Sequence, residues 1–275
     1  MSFYTSLSGL KAAQTDLGAI SNNLANVGST GFKRSRAQFG DLFASSPTQS
    51  TKMTAGQGVR LNGVVQQFTQ GTLEASDKTL DLGIAGEGFF VVRGAPPRGE
   101  VTYTRNGAFS PDSSGQVVDT IGSKLQLLPV DATGTATSTA LADAFDFVLP
   151  AGAPSDPTIP LANVSIGIDG LVTATYADGS SEMLGKVAMA SFPAVEGLRP
   201  IGDGHWQSTG DSGLAVINTA TNGPLGSIRS GALERANVDV TEELVALISA
   251  QRNFQANAKA IETAKNMTQA VMNIN

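Results

Sequence analysis

Cysteine is absent from this chain of 275 residues, so it has no disulfides and no thiolate metal sites. Histidine and tryptophan occur once each, aromatic residues make up 6% and charged residues 15%. No apolar run approaches the roughly 18 residues of a membrane-spanning helix. Positive charge is in deficit: 18 Lys and Arg stand against 24 Asp and Glu, for a net charge of −6. That balance argues against a nucleic-acid-binding surface. The one basic cluster, Lys33-Arg34-Ser35-Arg36, reads as a solvated turn after a helix. A secretory leader is not expected either. Met1-Ser2-Phe3-Tyr4-Thr5-Ser6 carries no basic stretch, and Ser8, Gln14 and Asp16 interrupt any apolar one. If the protein works outside the cell, a different export route must carry it.

Catalytic patterns are also scarce. Gly210-Asp211-Ser212-Gly213 is similar to the nucleophile segment of chymotrypsin-like proteases, but His205 lies only seven residues upstream, beside Asp203. In that protease fold the base lies far upstream, and its usual disulfides are impossible here. His205 reads instead as a hydrogen-bonded loop residue beside Trp206. The glycines of Gly83-Ile84-Ala85-Gly86-Glu87-Gly88 are in the wrong order for a dinucleotide loop, and no helix follows, so the segment reads as strand–turn–strand. No HExxH, Walker A or GxSxG pattern occurs. Neither catalysis nor a cofactor or metal is expected.

What the chain does have lies at its two ends. Phe3, Leu7, Leu10, Ala13, Leu17, Ile20, Leu24 and Val27 recur at spacings of three and four, which places one stripe on a helix. Leu244, Leu247, Phe254, Ala258, Ile261, Ala264, Val271 and Ile274 do the same at the C-terminus. Helices of about 27 and 35 residues are roughly 40 and 52 Å long and cannot bury such stripes alone. The two stripes are therefore expected to pair as a coiled coil, completed by neighbouring copies of the chain. The residues expected at that subunit interface are Leu7, Leu10, Leu17, Leu24, Leu244, Leu247, Phe254, Ala258 and Ile261, with Asn22, Asn23 and Asn26. Those three asparagines are poor interior helix formers. Either their amides face a neighbouring helix, or the helix end frays. Gly28 and Gly31 supply the stop signals, and Asp239-Val240-Thr241-Glu242 is a capping box that opens the last helix.

Between the ends, short strand-like patches alternate with turns, and the 31 glycines are consistent with many turns. The patches are Val59–Gln67, Leu80–Ile84, Gly88–Arg93, Val101–Thr104, Gln116–Asp119, Lys124–Leu128 and Gly185–Phe192. Asp169-Gly170 and Asp178-Gly179 bracket the alternating strand 171–177. Residues 45–58 are small and polar and read as a loop or extended linker. Residues 131–160, rich in Ala, Thr, Ser, Asp and Pro, read as a surface excursion or vestigial insertion. The expected fold is mixed α and β: N- and C-terminal helices pairing as a coiled coil, an inserted antiparallel all-β domain, and an extended connector. The expected division is a helical domain of 1–30 with 238–275, a connector of 31–78 with 208–237, and a β-rich outer domain of 79–207.

The run Ser21-Asn22-Asn23-Leu24-Ala25-Asn26-Val27-Gly28-Ser29-Thr30-Gly31-Phe32-Lys33 resembles the N-terminal signature of bacterial flagellar rod and hook proteins. Its signature turn is Thr30, Gly31, Phe32 and Lys33. Three further stretches are similar to the same family: 82–90 with 103–109, 231–239, and 243–257. Phe39–Ala44, Ala190–Leu198 and Ala250–Ala258 resemble hook subunits in particular, whereas the longer 45–58 segment resembles a feature of the distal rod. The resemblance implies a structural subunit that self-assembles into a helical tube with the terminal helices inside. The hook version is a curved joint that transmits torque; a distal or proximal rod subunit is the alternative. The implied partners are other copies of the chain, the distal rod protein, the hook cap protein, the hook–filament junction protein and the flagellar type III export apparatus. The implied location is the extracellular hook and basal body, reached without a cleaved signal peptide. Neither nucleic acid nor a membrane span is implied.

Overall fold

The computed structural model describes residues 2–43, 56–94, 99–153 and 158–272. The chain forms two compact units. The first comprises Met1–Val27, Arg34–Gln67 and Val238–Asn275; the second comprises Gly28–Lys33 and Phe68–Asn237.

The first unit holds helix α1 (Ser2–Ala25), strands β1 (Ser35–Phe43) and β2 (Gly56–Gln66), and helix α2 (Val240–Met272). α1 lies against α2 and against both strands. α2 begins as its sequence predicts, with the Asp239 carboxylate accepting from the backbone N–H groups of Thr241 (2.8 Å) and Glu242 (3.0 Å). α1 stops where Asn26 N–H reaches the carbonyls of Asn22 and Asn23. β1 and β2 pair antiparallel from Ser35↔Gln66 to Phe43↔Gly56, with register shifts after Gln38 and Asp41. Of the 45–58 segment, residues 45–55 lie outside the described residues, and Gly56–Gly58 open β2.

The second unit is β-rich. Its strands are β3 (Leu73–Ala75), β4 (Leu82–Ala85), β5 (Phe89–Arg93), β6 (Val101–Thr104), β7 (Ser110–Pro111), β8 (Val117–Val118), β9 (Lys124–Leu128) and β10 (Phe145–Asp146). They continue as β11 (Leu161–Ile166), β12 (Leu171–Tyr176), β13 (Ser181–Val187), β14 (Met189–Ser191), β15 (Arg199–Gly202), β16 (His205–Gln207), β17 (Val216–Asn218), β18 (Ser227–Ser230) and β19 (Ala232–Glu234). The main antiparallel path runs β11-β12-β13-β9-β5-β6-β16-β15, while β18 pairs with β4 and β19 with β3.

β5 is the centre of this unit. Phe90 and Val92 join one apolar cluster with Leu125, Phe147 and Val187, and Phe89 and Val91 join another with Tyr103, Phe192 and Trp206. Alternate residues of one strand thus face two cores, which explains its unbroken apolar run. Phe89 meets Phe68, Phe192 and Trp206 edge-on at 5.5–5.7 Å. The predicted strand 185–192 is divided: β13 pairs with β9, and β14 turns to β5 and β17. Gly185, at φ +155°, stands at the register shift opposite Val172.

Residues 31–78 carry β1, β2 and β3, and residues 208–237 carry β17, β18 and β19. Residues 131–160 contribute β10 and Phe147, whose side chain is fully buried. Ala144 and Ala153 of the same stretch are also buried, and Leu149 and Leu141 pack against the two clusters, so the stretch is anchored at several points.

Candidate functional site

In the second unit, three segments separated by long stretches of chain meet at one carboxylate. Glu234 lies on β19 in the alternation Ala232-Leu233-Glu234, which turns Ala232 and Glu234 to the same buried side. Its Oε1 accepts from Lys33 Nζ at 2.7 Å and from Gly71 N–H at 2.8 Å. Its Oε2 accepts from an Arg105 guanidinium nitrogen at 3.2 Å. Lys33 Nζ also donates to the Thr69 carbonyl (2.9 Å), and Arg105 donates to the Gly86 carbonyl (3.0 Å). The Arg105 guanidinium stands 5.4 Å from the centroid of the Phe89 ring. Burial pulls the ammonium of Lys33 and the guanidinium of Arg105 below their ordinary pKa values, and the Glu234 charge opposes both shifts.

The turn that delivers Lys33 has a steric requirement of its own. Gly31 has φ +69°, and a Cβ there would stand 2.6 Å from the backbone of Arg105 and Asn106. Gly31 N–H donates to the Glu234 carbonyl at 2.7 Å, and Asn237 N–H donates to the Phe32 carbonyl. Asn237 Nδ2 donates to Thr69. Segments 28–33, 68–71 and 234–237 are thereby tied to one another inside the second unit.

A second polar knot lies within the first unit. Asn23, 1% exposed, exchanges two hydrogen bonds of 2.8 Å with the Ser35 backbone and donates to Glu243 Oε2 at 3.3 Å. Glu243 pairs through Oε1 with Arg34, whose guanidinium also reaches Glu242 Oε1 at 3.0 Å. α1, β1 and the first turn of α2 are joined there. The asparagines therefore divide their roles: Asn23 faces α2, Asn26 bonds back to the Asn22 carbonyl, and Asn22 is exposed.

The basic cluster needs correction: Lys33-Arg34-Ser35-Arg36 is not a solvated turn. Lys33 is 1% exposed, and Arg34 is held by two glutamates. The turn reading failed because each cation's acid lies some 200 residues away in the chain. For Glu234 a signal was present in the alternation of β19; Arg105 lies in the family-like stretch 103–109, but nothing local in that stretch points to Glu234 as its partner. His205 is not a loop residue. It lies on β16, buried, with Nε2 3.0 Å from Asp119 Oδ2 and Nδ1 3.2 Å from the Thr102 hydroxyl. Ser212 donates to the Thr209 carbonyl within a turn.

The residues expected at a subunit interface are unevenly covered. Leu7, Leu10, Leu17, Leu24, Leu247, Phe254, Ala258 and Ile261 are half-buried, whereas Leu244 is exposed. Val245 and Ile248, which the stripe did not include, are exposed beside it. Among the described residues, no cluster of three His, Asp or Glu is arranged to hold a metal ion, and no helix is long and apolar enough to cross a membrane.

Comparison with known proteins gives these features a context. Residues 3–33 match the family described as "Flagella basal body rod protein", 83–174 match "Flagellar hook protein FlgE/F/G D1 domain", and 229–274 match "Flagellar basal body rod FlgEFG protein C-terminal". The flagellar basal-body rod protein FlgG of Buchnera aphidicola subsp. Acyrthosiphon pisum is 33% identical over 281 residues, covering 98% of this chain and 97% of the relative. The chain belongs to the flagellar rod and hook family. FlgG of Caulobacter vibrioides is also 33% identical, covering 97% of this chain and 96% of the relative. The flagellar hook protein FlgE of Escherichia coli is 27% identical in an alignment of 412 residues that covers 100% of both chains. As a rod and hook family member the protein is not an enzyme, and both knots are structural. Lys33 and Glu234 belong to the first and last of the matched segments, and Arg105 to the middle one.

Proposed function

We propose that this chain is a structural subunit of the flagellar hook, which assembles into a curved helical tube and carries torque between rod and filament. The observation that carries the reading is a folded β unit continuous with two long terminal helices. Those helices leave Leu244, Val245 and Ile248 exposed, at 43%, 61% and 50%. Exposed apolar residues of this kind on a helix call for a partner. The hook-like segments 39–44, 190–198 and 250–258 favour the hook within the family.

Other copies of the chain are its main partner, with the distal rod protein, the hook cap protein and the hook–filament junction protein at the ends of the tube. The type III export apparatus carries it outside without cleaving a leader. Expression in a strain that lacks its own hook protein tests this: hooks visible by electron microscopy support it. Rods restored in a rodless strain, with no hooks in the hookless one, overturn it in favour of the rod. That second reading has one specific support. The rod relative aligns over 281 residues and the hook relative over 412, so in length this chain is closer to the rod proteins. Leu247→Asp is expected to abolish tube formation in a sedimentation assay while the second unit melts unchanged, because it places a charge among apolar side chains.

A further inference from the structure

Asn-Gly occurs three times in the chain, as Asn62-Gly63, Asn106-Gly107 and Asn222-Gly223. The pair has a chemistry of its own. Glycine has no Cβ to shield its amide nitrogen, so that nitrogen can attack the preceding asparagine side chain. The attack needs a main chain free to turn and room for a ring to close. A donor on the side-chain oxygen helps, because negative charge develops there.

Asn106 lacks both freedom and room. It is 9% exposed, and its Oδ1 is held by the Ala108 N–H at 3.1 Å. Gly107 is pressed onto β4: its carbonyl accepts from Leu82 N–H at 2.9 Å, and a Cβ on it would collide with the Leu82 carbonyl oxygen. Asn222 is exposed, but its main chain is tied on both sides. Its N–H donates to the Thr219 carbonyl and its carbonyl accepts from Leu225 N–H, both at 3.3 Å. Its Nδ2, the nitrogen that would leave, donates to Asn218 Oδ1 at 3.0 Å.

Asn62 meets every requirement. The β1–β2 register passes from Gln38↔Gly63 to Phe39↔Leu61, so Asn62 is the unpaired residue of a bulge. It is exposed, and a Cβ on Gly63 would meet nothing within 4 Å. Asn62 Oδ1 accepts from Arg60 Nε at 3.3 Å, which places a guanidinium at the oxygen that gains charge. The amide lies across Gly40 of β1, where a Cβ would stand only 3.1–3.2 Å from it.

We propose that Asn62 is a self-modification site, converting without an enzyme to aspartate and isoaspartate. The Gly63 nitrogen gives its proton to solvent and bonds to Asn62 Cγ. The Cγ–Nδ2 bond breaks, and the nitrogen takes a proton and leaves as ammonia. The succinimide that remains takes up one water. Opening at Cγ leaves aspartate. Opening at the backbone carbonyl leaves isoaspartate, which routes the main chain through the former side chain and lengthens β2 by one methylene. Both products replace a neutral amide beside Arg60 with a carboxylate, and isoaspartate breaks the pairing of Gln38 with Gly63.

Peptide mass spectrometry of the full chain tests this after incubation at mildly alkaline pH, with digestion in heavy-oxygen water to mark conversion during work-up. Conversion at Asn62 should exceed that at Asn106 and Asn222 by about tenfold or more. In urea the three rates should converge, because the ranking comes from the fold. Conversion led by Asn106 or Asn222, or a ranking unchanged in urea, overturns the proposal. Methyl transfer from S-adenosylmethionine by an isoaspartyl methyltransferase should label the aged chain, and aged Asn62→Gln should lose most of the label. Undiminished label in that variant overturns the site. Arg60→Gln, with unchanged circular dichroism, should slow conversion at Asn62 about tenfold. An equal rate overturns the assignment, since exposure alone would then account for the reaction.

Discussion

Glu234 and Glu243 are both buried carboxylates paired with a cation from the 33–34 turn, yet their surroundings differ in depth. Glu234 sits among strands, with both of its cations, Lys33 and Arg105, nearly sealed from water. Glu243 is equally buried, but its partner Arg34 keeps 24% of its side chain exposed. Water can therefore help to solvate the second pair after damage and cannot reach the first. Depth of burial, more than the presence of an ion pair, sets how much the fold depends on each carboxylate.

The largest effect expected from that difference is in Glu234→Ala. It strands two buried cations and the Gly71 N–H, and should cost about 3–5 kcal/mol in urea unfolding of the second unit. A loss below about 1 kcal/mol would show that water enters the site and would erase the contrast. Phe147→Ala should follow closely, at about 3–4 kcal/mol, because a fully buried ring leaves a cavity between strands. A near-neutral result would return residues 131–160 to the role of surface excursion. Glu243→Ala should cost less, about 1–2 kcal/mol, since the stranded Arg34 can turn toward solvent. Hydrogen exchange should then rise in peptides from 13–25 and 240–250 and stay unchanged in β5 and β9. If exchange rises in both units, the two knots are not independent.

The smallest effect concerns acid and the α2 cap. Backbone N–H groups of Glu242 and Thr241 hold the Asp239 carboxylate below the usual aspartate value. A depressed carboxylate contributes fully above its ordinary pKa and loses that contribution as pH falls through the lower, folded value. Helical circular dichroism of the wild type should therefore weaken below about pH 4. Asp239→Asn, which keeps the cap but cannot titrate, should lose that part of the transition. An identical acid profile in the two proteins would mean that Asp239 does not control the start of α2.

Parts of this architecture were legible in local sequence. The stripes of Leu7–Leu24 and Leu247–Ile261 marked the helices because an α-helix repeats every 3.6 residues whatever it packs against. Asp239, Asp169-Gly170 and Asp178-Gly179 marked ends and turns because capping and tight turns are satisfied by a few adjacent backbone groups. β1 was missed because its face is set by a partner strand, from Ser35 opposite Gln66 to Phe43 opposite Gly56, and Ser35–Phe43 alone has no firm alternation. The division of 185–192 into two strands was hidden for the same reason: the choice between β9 and β5 lies outside the segment.

The charges show the limit most clearly. Lys33, Arg34 and Arg36 have the same local appearance, and composition alone treats them as a solvated patch. In the fold Lys33 is sealed against Glu234, Arg34 half-sealed against Glu243, and Arg36 exposed. By itself the sequence determined the two helices, their caps, the β character of the middle and the family, since these rest on contacts between near neighbours or on dense local motifs. Only the tertiary structure decided which cation meets which acid and which end of α2 remains uncovered. Both depend on chain segments brought together from 129 to 220 residues apart, at a distance where no local pattern carries information.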